Sequence, residues 1–84
     1  MHTQPPDADV RVVAAAIRQH LKDNPQAADT AQGIGRWWVL PRSGEFPLQT
    51  VEAALAQLEG EGSVRRIEHA WAPPAWARAE GPGG

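Results

Sequence analysis

The sequence predicts a small α+β domain, mainly α, in which three helices precede a C-terminal β-hairpin. Three observations predict it. Leu48, Val51, Leu55 and Leu58 recur at helical spacing and stop at Gly60. Val10, Val13, Ala14, Ile17 and Leu21 form a second stripe of the same period. Between Ser63 and Ala79, two short strand-like runs flank a proline-rich turn.

The chain has 84 residues, enough for one small domain. Val, Ile, Leu and Phe together number 15, no more than the alanines. Large aliphatic side chains are therefore scarce, and close-packed Ala and Trp must complete the core. Four tryptophans and a net charge of only −2 favour folding over disorder. A domain of this size buries about 60–65% of its unfolded surface, so marginal stability is expected. A homodimer or a host complex would supply further burial.

There is no cysteine, which excludes disulfides and thiolate metal sites. His2, His20 and His69 lie far apart and lack paired-ligand spacing, so neither a metal nor a cofactor is expected. No run of 18 apolar residues exists, so no membrane span is expected. Met1 to Asp7 lacks the basic and apolar regions of a signal peptide, which points to the cytoplasm.

Residues 1–8, with Pro5-Pro6, are expected to form a flexible arm, 9–79 the domain and 80–84 a flexible tail. Asp7 or Asp9 is expected to cap the first helix. Arg11, Ala15, Arg18 and Lys22 lie on its outward face. Asn24-Pro25 ends it, because a residue before proline is pushed out of the α region. Ala27 to Trp38 reads as a second, shorter helix, with Asp29 and Gln32 spaced as a capping box. Trp37 and Trp38 are adjacent, about 100° apart around a helix. One is expected to anchor the core while the other sits at its margin. Gly33 and Gly35 allow two readings: a weak helix, or a helix closely covered by another.

Val39-Leu40 reads as a short extended piece and Pro41–Phe46 as a loop with a turn at Ser43-Gly44. Pro47 suits the first turn of the third helix, and Gly60 and Gly62 suit a positive φ at its end. Ser63–Glu68 is the first strand of the hairpin and Ala75–Ala79 its partner, with Trp76 inward. Trp71 tips the turn between them. It is either an exposed anchor or folded back on Trp76 or Pro73-Pro74.

This order resembles a winged helix-turn-helix domain. The resemblance is most specific over Val51–Ile67, which looks like the third helix, glycine turn and first wing strand of many bacterial winged-helix proteins. Trp76-Ala-Arg78 is similar to the aromatic-led second wing strand, and Ala28–Trp38 is similar to a stretch of small bacterial winged-helix proteins. The short strand usual between the first two helices is not evident. The resemblance implies a third helix that enters the DNA major groove and a wing that touches phosphates. Carried onto this chain, the contacts would be Arg42, Gln49, Thr50, Arg65, Arg66 and Arg78.

Charge argues for a different use of the fold. Residues 47–61 hold Glu52, Glu59 and Glu61 and no base, whereas DNA affinity comes mainly from neutralised phosphates. For Arg65-Arg66, a solvated strand face competes with phosphate contact. A protein-interaction face would comprise Gln49, Glu52, Ala53 and Ala56, with Trp71 as anchor, since Trp is enriched at interface hot spots. Ser43 and Ser63 sit in glycine-flanked turns without a partnered base, so no catalysis is expected. The expectation is a non-catalytic binding module for a protein partner or a second copy, with duplex DNA as the alternative ligand.

Overall fold

A computed structural model describes residues 5–79. The expected tail, and residues 1–4 of the expected arm, lie outside this range. Helix α1 spans Asp7–Asp23, so the last residues of the expected arm are helical. Pro6 precedes it, and its carbonyl accepts from Val10 N–H at 3.1 Å. Neither Asp7 nor Asp9 is the cap. Both lie in the first turn, where a negative charge complements the helix dipole. The expected stripe is buried, joined by Ala16. Asn24 N–H closes the helix on the His20 carbonyl at 2.8 Å, ahead of Pro25.

The chain then departs from the sequence reading. Ala28–Thr30 is a strand, β1, and it occupies the place where no strand was evident. Helix α2 follows at once and runs over residues 31–43, longer than expected. Its cap is Thr30, not Asp29: Thr30 Oγ1 accepts from Gly33 N–H at 3.2 Å. Asp29 Oδ1 instead accepts from Thr30 N–H at 2.7 Å, and the carboxylate lies over Gly33, where it leaves no room for a Cβ. Of the two glycine readings, close cover by another helix holds at Gly35, where an added Cβ would sit 3.3 Å from Val51 Cγ2.

The middle of α2, Ile34–Val39, is wound as a π-helix. Leu40 N–H bonds to Gly35 O, five residues back. A proline inside an α-helix clashes with the carbonyl four residues earlier. The wider turn ends just before Pro41, which then occupies the first turn of a fresh α segment, Leu40–Ser43. So Val39-Leu40 is helical rather than extended, and the loop begins only at Gly44, with φ +94°.

Helix α3 spans Leu48–Gly60. Pro47 stands one residue before it, and its carbonyl accepts from Thr50 and Val51 N–H at 2.9 and 3.2 Å. The buried stripe is Thr50, Val51, Ala54, Leu55 and Leu58. Leu48, expected inside, is 41% exposed. Gly60 is helical, and the positive φ falls on Gly62 alone, at +79°. Both glycines have open space where a Cβ would go. Gly62→Ala should therefore lose about 1 kcal/mol to backbone strain, and Gly60→Ala should gain about 0.5–1 kcal/mol. Urea unfolding midpoints should move in opposite directions for the two variants.

Strands β2 (Val64–Ile67) and β3 (Ala75–Arg78) pair antiparallel, and β1 pairs the other edge of β3. The sheet therefore has three strands in the order β1-β3-β2, rather than the two expected. Trp76 faces Asp29 on one side and Arg66 on the other, and the Arg66 guanidinium lies 5.8 Å from the Trp76 ring centre. The core gathers α1, α2 and α3 with Val64 and Trp76 from the sheet. Helix α1 packs chiefly on α3. No helix among the described residues is long and apolar enough to cross a membrane.

Candidate functional site

Gln49, Glu52 and Ala56 are exposed along one face of α3, and Ala53 is half-buried beside them. Thr50, expected on this face as a nucleic-acid contact, is only 3% exposed and belongs to the core. Its angle on the helix explains the difference, since it lies on the same side as Val51 and Ala54. The face carries Glu52 and no cation.

The four expected arginines do not share one orientation. Arg42 donates to Asp23 at 3.1 Å. Arg66 is paired with Glu68 at 2.7 Å and lies over Trp76. Successive residues of a strand point to opposite faces, so Arg65 lies on the sheet face away from Arg66. Arg78 lines a cleft of about 440 Å³ between the end of α1 and the α3–β2 turn, together with Arg18 and Lys22. Arg18 is itself held by Glu61 at 2.6 Å. Among the described residues, Lys22, Arg65 and Arg78 make no ion pair.

The tryptophans divide sharply. Trp38 is 4% exposed and Trp37 is 64% exposed, as core and margin were expected to divide. Trp71 is 97% exposed, so it is folded back on neither Trp76 nor the prolines. A groove of about 510 Å³ opens between α2 and the start of α3. Trp37, Leu40, Phe46 and Leu48 supply its apolar lining, and Arg36 and Glu45 its charges. Leu40 and Leu48 are each more than 40% exposed. The sequence reading missed this groove because it placed Leu48 in the core and Leu40 in a strand. The signal was a surplus of apolar side chains around Pro41 and Pro47, beyond what the helix stripes need.

On the far side of α2, Trp38 stacks on His20 with ring centres 4.5 Å apart and planes 13° apart. Burial and then the Arg42 charge lower the His20 pKa, against a raising effect of Asp23. The fold thus favours neutral His20. Its contribution is complete above the unfolded value, about 6.5, and is lost as pH falls below that toward the folded value. Asp23 and Glu61 are lowered by their hydrogen-bond partners, Gln19 and Arg42 for the one, Arg18 and Gln57 for the other. Their contributions are present above the carboxylate range and are lost only in stronger acid. The melting temperature should therefore fall between about pH 7 and pH 5, and His20→Phe should flatten that fall.

Among the described residues no three His, Cys, Asp or Glu side chains converge as metal ligands. What the surface offers is a mixed groove with apolar walls and charged rims, a helix face whose one charge is Glu52, and an isolated exposed tryptophan. No protein-family model, curated protein or solved structure matches the chain.

Proposed function

We propose that this chain is a non-catalytic winged-helix binding module that recognises protein. The observation that carries this reading is the groove walled by Trp37, Leu40, Phe46 and Leu48. Exposed apolar side chains clustered beside polar ones are a mark of interaction surfaces. The helix that a DNA-reading relative would place in the major groove has no cation here, and Glu52 stands in the middle of its outward face. The three helices, the strand before α2 and the β2–β3 pair acting as the wing suit the winged-helix layout.

A second reading, DNA binding for transcriptional regulation, is favoured by one observation, the cleft with Arg18, Lys22 and Arg78. Both are tested by titrating the protein with duplex DNA while following amide NMR shifts at low and moderate salt. Protein recognition predicts no shifts along α3 even at low salt. Shifts at Gln49, Arg65, Arg66 and Arg78 that fade steeply with salt would overturn it in favour of DNA.

A further inference from the structure

We propose that the groove is filled by the β2–β3 connection of a second copy of this chain, in a two-fold exchange led by Trp71. The inference rests on the protein-recognition reading and names the partner.

Both halves of the contact are present on one chain. Proline-containing segments dock in aromatic-lined grooves, because a preformed extended backbone has little freedom left to lose. Trp37 and Phe46 supply aromatic walls, and Trp71-Ala-Pro-Pro74 supplies the segment. Trp71 is 97% exposed, so its own groove does not hold it.

Position and charge agree. Thr30 lines the groove and pairs directly with Ala75, the residue after Pro74. The connection therefore returns to the sheet at the groove's rim, and segment and groove share one end of the molecule. A two-fold axis at that end lets each copy give a segment and receive one. Arg36 and Glu45 at the groove make no ion pair among the described residues, and the connection brings Glu68 and His69. Glu68 can meet Arg36 by leaving an exposed pair with Arg66, which is weak at a surface. One segment in one groove is a small contact. The reciprocal exchange doubles it toward the roughly 1,000 Å² that specific interfaces need.

Sedimentation equilibrium on the full chain, with Trp71→Ala and Leu48→Asp, tests the exchange. Both side chains are exposed, so both variants should keep the wild-type circular dichroism. The wild type should approach twice the chain mass as concentration rises. Each variant should self-associate about tenfold more weakly or less. Mixing the two should restore part of the dimer, because the mixed pair keeps one intact Trp71 and one intact groove facing each other. A wild type that stays monomeric, or a dimer indifferent to both substitutions, overturns the exchange. If the monomer is also silent toward duplex DNA, only the choice of partner has failed. If DNA moves the α3 amides, the protein-recognition reading has failed with it.

Discussion

Trp76→Ala is expected to leave the chain largely unfolded. Trp76 lies on β3, the central strand, and is 8% exposed. It links the sheet to the helices, and its ring also receives the Arg66 guanidinium. Truncating a buried Trp removes about 3–5 kcal/mol. A chain of this length has roughly 4–13 kcal/mol in total. A total near the low end of that range, as marginal burial in so small a domain implies, does not survive the loss. Near-ultraviolet circular dichroism and urea unfolding measure it. A cooperative transition close to the wild-type midpoint would mean that β3 is not the strand holding the sheet to the core.

Trp38→Ala should have an effect of the same size for a different reason. Trp38 is packed within α2 and covers His20 on α1, so its removal opens the joint between two helices. The expected loss is again about 3–5 kcal/mol, together with the pH dependence that His20 contributes. The same change at Trp37 should shift stability by about 0.5 kcal/mol or less, because that side chain is largely in water. The comparison is made on adjacent residues with identical chemistry. Thermal melts of the two variants should differ by tens of degrees if α2 is wound as described, and should coincide if it is not.

How much could be read from the sequence depended on the range of the forces involved. The stripe of α1 was legible because its repeat runs through a long helix whose inward residues share one environment. The glycine turn after α3 was legible as a turn, but assigning the positive φ to Gly62 instead of Gly60 required the actual hydrogen bonds from Gly62 and Ser63. Strand β1 was not legible. Ala28-Asp-Thr30 carries little strand preference, and it is extended because β3, from the other end of the chain, offers it an open edge. The length of α2 was hidden by Pro41, which normally marks a helix end and is tolerated here only by a π turn. The site suffered from the same two failures. Once α2 stopped at Trp38 in the reading, Leu40 had no helix to project from. Thr50 and Leu48 then exchanged places between core and surface.

The position of β3 in the chain has a kinetic consequence. The strand at the middle of the sheet is made after both of its neighbours. During synthesis β1 emerges early, yet its hydrogen-bonding partner lies beyond two helices and a strand. Until Ala75–Arg78 arrives, Ala28–Thr30 has no strand to pair with, while α1, α2 and α3 can already collapse on one another through nearer contacts. Contacts that close long loops form late, because their entropy is lost before any contact compensates it. Helix docking should therefore precede the sheet, with Trp76 arriving last to close a core that the helices have already assembled.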